Sequence, residues 1–346
     1  MIRSGLMRVT VVLLAAALAA DLLPAARELE IYFVDVEGGQ ATLIRTPAGQ
    51  SLLVDAGWPG FNARDASRIQ AAAALAGIRQ IDYLLMTHYH LDHVGGIEPL
   101  LARLPVRCFV DHGENTETGK NAEALSESYR RALAAGRRLT VKPGDKLPLR
   151  GLEVLIVAAR GELIAKPAPG GGAANPYCEG VARKDNDPTE NARSVGFLLR
   201  YGRFLFSDLA DLTWNKELEL VCPNNRLPPV DVFLVNHHGA NLSNSPALVY
   251  GLRPRVAILN NGAKKGGSPD TLRLIRNSPG LEDLWQLHFS LAAGRDSNAP
   301  AERIANLEPD CKGHWIKLAA RPSGAFSITN SRTGETKIYP VRSARR

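Results

Sequence analysis

The chain has 346 residues, of which 45% are hydrophobic and 22% are charged, a composition that fits a folded globular protein and excludes a disordered or fibrous one. The net charge of +7 is scattered, apart from a terminal RSARR, and gives only weak support for an anionic substrate. No run of interleaved aromatic and basic residues indicates a single-strand nucleic-acid platform.

Residues 1–26 have the pattern of a signal peptide. Arg3 and Arg8 precede a short apolar run at 9–20, and small residues follow it. The run is short for a membrane span. We therefore expect an exported, periplasmic or secreted protein without a transmembrane segment after signal removal, with an uncleaved anchor as the alternative. Residues 27–346 are expected to form a single domain.

The four cysteines lack the C-x-x-C spacing of a structural zinc knuckle. In an oxidising compartment a disulfide is allowed. Cys178 and Cys222 flank the same region and are the first candidates for such a pair. Four unpaired thiols are the alternative.

The body of the chain begins with a meander, in which three strands are joined by tight glycine turns, at 29–36, 41–47 and 51–57. A helix and a nearly all-apolar strand follow, at 63–78 and 80–88. The segment THYHLDHVGG (87–96) therefore lies on the loop that leaves a central strand, where layered α/β proteins build their sites. The same alternation continues with a helix, a strand, a helix and a run of short strands, at 95–104, 106–112, 121–136 and 138–159.

The composition changes at 166–191, where Pro, Gly and Asn predict a long surface loop. A hairpin follows at 194–210, and then a strand at 230–239 that ends in histidines. The remaining pattern predicts helices at 245–252 and 268–277 and strands at 255–262, 284–290, 314–320 and 325–330.

The histidine-rich loop has the residue types of a metal site. Zinc takes N and O ligands at about 2 Å and keeps a position open for water in catalytic sites. His88 and His90 alternate in an extended segment and face the same side. Asp92 and His93, placed in the first turn of a helix, can serve a second ion close to the first. Further ligands are expected from later strand ends, at Asp208, His237 or His238.

At this point the sequence resembles the metallo-β-lactamase-fold hydrolases. THYHLDH resembles their H-x-H-x-D-H motif, LLVDAG with Asp55 resembles their first motif, and NHHG resembles their late histidine motif. FLFSDL resembles the strand with the bridging aspartate, although Ser207 stands where glycine is usual. The resemblance implies an α/β, four-layer αββα fold with Asp55 beneath the site. It also implies two Zn²⁺ ions, or Mn²⁺, held by His88, His90, Asp92, His93, Asp208, His237 and His238.

The closer resemblance, over roughly residues 28–290, is to the hydrolase domain of competence-type DNA-uptake channel proteins and its exported relatives. It rests on FVDVEGGQATLI, on Asn191 and Ser194 in ENARSVGFLL, and on NHHGANLSN. One departure concerns the family's G-H-T-x-G histidine, because Asn191 stands about where that ligand would be. We therefore expect a weaker or asymmetric first metal site, to which His112 is an alternative contributor.

The resemblance implies hydrolysis by a metal-bound hydroxide that Asp92 or Asp208 orients and deprotonates, and the subgroup favours phosphoester or nucleic-acid substrates. Lys264 and Lys265, in a glycine-rich loop, could hold a phosphate, with a solvated turn as the alternative. His288 is a candidate proton donor to the leaving oxygen, or else an ordinary strand residue.

Two other functions stay open from the sequence. One is a lactonase or β-lactamase-like hydrolase of esters or amides. The other is a non-catalytic metal-binding scaffold, against which the intact H-x-H-x-D-H motif argues. The fold cannot choose among these substrates, and no stable protein partner is predicted.

Overall fold

A computed structural model of the protein describes residues 28–342, and the predicted signal peptide at 1–26 lies outside them. Two β-sheets pack face to face. The ring of Phe33, on the first sheet, meets the ring of Phe206, on the second, with centroids 6.0 Å apart in an edge-to-face contact. Side chains from both sheets form one buried apolar core between them.

The first sheet has nine strands among the described residues, in the order β17-β16-β15-β1-β2-β3-β4-β5-β6. Strands β3 to β6 run parallel, and the other neighbours are antiparallel. The strands are β1 Leu29–Phe33, β2 Thr42–Arg45, β3 Ser51–Val54, β4 Ile81–Leu85, β5 Val106–Asp111, β6 Arg137–Thr140, β15 Ile316–Ala320, β16 Phe326–Asn330 and β17 Thr336–Tyr339.

The second sheet has eight strands in the described chain, in the order β14-β13-β12-β11-β10-β9-β7-β8. Strands β10 to β14 run parallel, so their carboxyl ends meet at one edge. The strands are β7 Glu153–Ala159, β8 Glu162–Leu163, β9 Gly196–Tyr201, β10 Phe204–Asp208, β11 Val232–Leu234, β12 Val256–Leu259, β13 Asp283–His288 and β14 Ile304–Asn306.

Helices cover the outer face of each sheet. On the first sheet, Ile69 and Leu100 belong to the same buried cluster as the strand residue Leu53. On the second, Leu248 and Leu272 pack with Phe233. The helices are α1 Arg64–Leu75, α2 Leu91–Val94, α3 Ile97–Leu101, α4 Lys120–Leu133, α5 Trp214–Val221, α6 Pro246–Leu252, α7 Pro269–Arg276 and α8 Gly294–Ser297. These layers confirm the predicted αββα architecture.

The cysteine pair predicted first is the one that forms. Cys178 and Cys222 make a disulfide across 44 positions of sequence, and Cys108 and Cys311 are free thiols. The predicted loop at 166–191 has two short 3₁₀ turns, Pro176–Cys178 and, at its end, Glu190–Arg193. Within residues 28–342, no helix is long and apolar enough to cross a bilayer.

Five of the described elements go beyond the sequence prediction: helices α5 and α8 and strands β8, β14 and β17. The predicted strand at 80–88 is also shorter, because β4 ends at Leu85 and the chain then turns toward the site. Ends of this kind are set by tertiary contacts, such as the hydrogen bond from the Val195 N–H to the Thr87 carbonyl, 2.9 Å long, which ties the two sheets together at this point.

Candidate metal centre

The histidine motif lies just beyond the carboxyl end of β4. His90 has extended backbone angles, and α2 begins directly after it. Asp92 and His93 therefore occupy the single turn of this short helix, as the sequence indicated. His88 and His93 are fully buried. The backbone N–H of Ala56 donates to the carbonyl of His93 over 2.7 Å, which fixes the turn against the end of β3.

The second sheet supplies the facing residues from the ends of β10 and β11. Ala210 has φ +49°, and His237 and His238 both have φ +52°. Each such non-glycine residue costs about 1–3 kcal/mol and persists only where its surroundings hold it, which is typical of functional sites. The His237 N–H donates to the Ala210 carbonyl over 2.9 Å, so these two turns support each other.

Four buried side chains from the two sheets form a compact group: Asp92, His93, Asp211 and His238. His93 Nε2 lies 3.3 Å from an Oδ2 of each aspartate. His238 Nε2 lies 3.1 Å from Asp92 Oδ2 and 3.5 Å from Asp211 Oδ2. The two Nε2 atoms are 3.3 Å apart. Ligands at about 2.0–2.2 Å from a tetrahedral ion are roughly 3.3–3.6 Å from one another, so these distances are close to those between ligands of one ion.

A second group adjoins the first through Asp211. His88 Nε2 lies 3.2 Å from His90 Nδ1 and 3.8 Å from Asp211 Oδ2. His237 Nε2 lies 3.5 Å from the same oxygen. Asp211 therefore stands between two groups of imidazoles, as a bridging carboxylate does. His237 thus adds a third imidazole to His88 and His90. The sequence had predicted only two imidazoles for this first metal site.

Unpaired buried atoms test whether this site suits a cation. Asp211 Oδ1 and His238 Nδ1 are buried and have no hydrogen-bond partner. Leaving a buried polar group without a hydrogen bond costs about 1–3 kcal/mol. The His93 and His238 Nε2 atoms face each other, and two protonated nitrogens would repel at this distance, so at least one of them presents a lone pair. These side chains fit one or two divalent cations, with Asp92, His93, Asp211 and His238 in one group and His88, His90 and His237 around Asp211 in the other.

Outer carboxylates orient two of these imidazoles. Asp55 Oδ2 lies 2.7 Å from His93 Nδ1, and Asp55 is itself held by the N–H and hydroxyl of Thr87. Glu117 Oε1 lies 2.9 Å from His90 Nε2. Each contact leaves the other ring nitrogen free for a cation, a common arrangement in metal sites. Asp55 thus lies beneath the group without entering it, while Glu117 carries no sequence signal that would have singled it out.

The pKa shifts of these side chains also suit a group that binds a cation. Burial makes the largest single contribution to the pKa of each side chain. Burial and the neighbouring His93 hold the pKa of His88 well below its usual value. Against the effect of burial, the imidazoles hold the pKa of Asp92 and of Asp211 well below the usual range. Against burial too, Asp211 and Asp92 raise the pKa of His93 well above 6.5. A divalent cation would take the place of the proton on His93.

The prediction that Asp208 is a ligand needs correction. Asp208 Oδ2 accepts from Gln40 Nε2 over 2.9 Å, and its Oδ1 accepts from the Ala210 N–H over 2.9 Å. Burial, with the nearby Asp55 carboxylate, raises the pKa of Asp208 to about 7. The residue at the imidazoles is Asp211. The family's glycine–aspartate pair corresponds to Ala210-Asp211, since Ala210 has the positive φ that favours glycine.

The placement of His288 also differs from the prediction. It is buried at the end of β13, and its Nε2 lies 2.8 Å from Asp35 Oδ1, away from the imidazole groups. It cannot serve there as a donor to a leaving oxygen. His112 is likewise engaged elsewhere, with its Nε2 2.8 Å from Glu190 Oε2.

The remaining predicted residues divide by distance from the centre. Ser194 Oγ lies 3.5 Å from His88 Nδ1. Asn191 Oδ1 is buried without a partner. The Lys265 ammonium contacts Asp92 Oδ2 and lies 4.7 Å from the centroid of the Trp58 ring, whereas Lys264 is exposed. Of the two lysines, Lys265 is the one at the site.

The sequence of residues 34–181 matches the model of the metallo-beta-lactamase superfamily. Residues 34–181 therefore have the sequence character of a metallo-beta-lactamase superfamily domain. ComE operon protein 3 of Bacillus subtilis (strain 168) is 26% identical over 188 residues, which are 54% of this chain and 20% of that protein. The chain thus spans about a fifth of that relative. The predicted family and its metallo-hydrolase class are confirmed at this level.

Two solved structures give weaker likenesses. The metallo-beta-lactamase fold protein YhfI from Bacillus subtilis has 12% identity and a TM-score of 0.45, covering 75% of this chain and 95% of that one. Tm1679, described as a metal-dependent hydrolase of the beta-lactamase superfamily, has 14% identity and a TM-score of 0.44, with the same coverage. At these TM-scores neither carries an argument about function.

Proposed function

We propose that this protein is an exported, divalent-metal-dependent hydrolase of phosphoesters. The metal dependence rests on the group of Asp92, His93, Asp211 and His238. The Nε2 atoms of its two histidines lie 3.1–3.5 Å from each other and from the Oδ2 atoms of both aspartates. Bound cations would supply Lewis-acid polarisation of the substrate and a nucleophile at neutral pH. Zn²⁺ and Mn²⁺ are the candidates.

The side chains around this group have separate tasks. Asp55 holds the His93 ring by its Nδ1, and Glu117 holds the His90 ring by its Nε2, so neither ring needs to reorient when substrate arrives. Asp211, whose Oδ2 contacts imidazoles of both groups, holds the two groups at a fixed position relative to each other. Asp55 directly follows β3, whereas Glu117 and Asp211 lie in the loops after β5 and β10. The contacts of these carboxylates with the imidazoles favour a preorganised site.

The choice of phosphoester rests on Lys265. A phosphodiester is negatively charged before attack, and a lactam or lactone ring is neutral. Lys265 lies beside Asp92, with its side chain 38% exposed, and so has a free face toward solvent. Its ammonium group can bind a phosphoryl oxygen next to the metal group.

Support for export comes from two independent features. Residues 1–26 have a basic start, an apolar stretch and a small-residue end. The Cys178–Cys222 disulfide is of a kind that persists in oxidising compartments. A periplasmic or secreted location would satisfy both features.

The test is a substrate comparison with a site variant. Protein lacking residues 1–26 is loaded with Zn²⁺ or Mn²⁺ and assayed on bis-p-nitrophenyl phosphate, single-stranded DNA, nitrocefin and an acyl lactone. Turnover of a phosphoester that Asp211→Asn abolishes supports the proposal. Faster turnover of the lactone or nitrocefin points to the ester or amide hydrolase instead. Two bound equivalents of metal without turnover of any substrate point to the scaffold.

A further inference from the structure

A second group of ligand-type side chains lies apart from the imidazole groups. Asp35 follows β1, His288 ends β13, and Cys311 lies between β14 and β15. Their carboxylate, imidazole and thiol groups come within 4.8 Å of one another. Asp35 and His288 are almost completely buried, and Cys311 is partly exposed, so the group has one side open to solvent.

The distances in this group are those of ligands around one ion. Cys311 Sγ lies 3.1 Å from Asp35 Oδ2 and 3.8 Å from His288 Nε2. His288 Nε2 lies 2.8 Å from Asp35 Oδ1. With bonds of about 2.3 Å to sulfur and about 2.0–2.1 Å to nitrogen and oxygen, tetrahedral ligands are roughly 3.3–3.6 Å apart. Shifts of about half an ångström would bring all three atoms onto one ion.

The charges around the group also accommodate a dication. An Asp35 carboxylate and a Cys311 thiolate together neutralise one M²⁺ ion. Arg68, whose guanidinium lies 2.8 Å from Asp35 Oδ2, is balanced separately by Glu37, 3.3 Å from the same nitrogen. Arg64, which also contacts Glu37 over 2.9 Å, is balanced by Asp65, whose Oδ1 lies 2.6 Å from its Nε. A metal ion in this group would therefore leave no uncompensated buried charge.

We infer that Asp35, His288 and Cys311 form a separate binding site for one zinc ion. Thiolate and imidazole ligands favour Zn²⁺ and Co²⁺ over Mg²⁺ or Ca²⁺, which prefer oxygen. Binding releases the thiol proton and the proton between His288 and Asp35 to solvent. Three protein ligands leave a fourth position open on the side where Cys311 is exposed. The site shares no ligand with the imidazole groups and does not depend on the proposed hydrolase function.

Cobalt substitution tests this site without an activity assay. The full purified protein is stripped of metal and titrated with Co²⁺ alone, and the near-ultraviolet thiolate-to-cobalt charge-transfer band is recorded. We expect the band in the wild type and in Cys108→Ala, which removes the other free thiol. We expect its complete loss in Cys311→Ala, with one equivalent less of bound Zn²⁺.

Two further variants separate this site from the first. Asp211→Asn, which alters the imidazole groups, retains the band. Asp35→Asn, which keeps the shape of the side chain, weakens or removes it. The absence of a band in the wild type, or a band that survives in Cys311→Ala, overturns the inference. Circular dichroism of each variant establishes that the loss is not one of folding.

Discussion

The carboxylate of Asp55 lies 2.7 Å from Nδ1 of His93, and both side chains are fully buried. Asp55 itself has φ +60°, so the chain adopts an uncommon backbone conformation at the residue that holds the histidine. The contact fixes the ring with its Nε2 toward Asp92 and Asp211. This relationship connects the end of β3 to the metal-binding turn.

Replacing Asp55 tests that connection. Asp55→Asn keeps the size of the side chain but removes the charge that holds the His93 ring, and it should lower Zn²⁺ affinity roughly 10–100-fold. Competition with a chromophoric chelator measures the affinity. Asp82→Asn, which alters a carboxylate that accepts from Ser51 at the far end of β3, is the control and should bind as the wild type does. Equal affinity in all three proteins would rule out the role of Asp55.

Two aspartates three positions apart should behave differently. Asp211→Asn removes the charge shared by the imidazole groups, so metal affinity should fall by more than the ~100-fold seen for supporting residues, and turnover should fall with it. Asp208→Asn replaces a carboxyl that contacts Gln40 and should retain the metal. Metal analysis after gel filtration compares the two variants. The reverse result would restore Asp208 as the ligand and remove Asp211.

Two adjacent lysines provide a variant and a matched control for testing whether the substrate is negatively charged. Lys265→Ala should raise KM for a phosphodiester roughly tenfold at low salt, the loss expected for one hydrogen bond to a charged group. Because the interaction is screened over about 8–10 Å, the difference should shrink as salt is added. Lys264→Ala, which changes an exposed neighbour, should leave KM unchanged. Equal KM values for Lys265→Ala and the wild type would remove the argument for an anionic substrate.

The buried Glu217 on α5 predicts a pH dependence of stability. Its carboxylate accepts from the N–H groups of Asn244 and Ser245 and from the side chain of Asn236, but burial raises its pKa from 4.5 to about 7. A raised pKa means that the folded state holds the proton more tightly. The stabilisation is therefore complete below pH 4.5 and is lost as the pH rises through 7, by on the order of 3 kcal/mol.

Denaturant unfolding between pH 5 and pH 8, with a chelator present, measures this effect. The free energy of unfolding of the wild type should fall more steeply with pH than that of Glu217→Gln, which has no titrating group at this position. Glu219→Gln changes a partly exposed carboxylate on the same helix and should keep the wild-type slope. Parallel curves for the wild type and Glu217→Gln would contradict the prediction.

The sequence predicted the part of the site that is local. His88 to His93 span six positions, so their spacing alone brings them together whatever the rest of the fold does. The αββα layers were predictable for a similar reason, since the apolar strands and helices alternate along the chain. The late histidines were expected both from the strand-end pattern and from the family resemblance, and the structure places both of them at Asp211.

Other assignments depended on backbone and long-range geometry that spacing does not encode. Asp208 ends the apolar strand β10 and Asp211 follows it, and the positive φ of Ala210 decides which one faces the imidazoles. Glu117 reaches His90 from a loop 27 positions away. His288 sits at a strand end of the expected sheet, but its ring nitrogen turns to Asp35. No periodic pattern distinguishes such residues from ordinary surface or core side chains.

The division of the centre between the two sheets has a consequence for how the protein matures. The region matched by the family, 34–181, contains His88, His90, Asp92 and His93, while Asp211, His237 and His238 follow it. Neither half can close the ligand shell alone. The complete ligand group therefore exists only when both halves of the chain have docked, and a chain that ends before Asp211 should hold a divalent cation more weakly than the whole protein does.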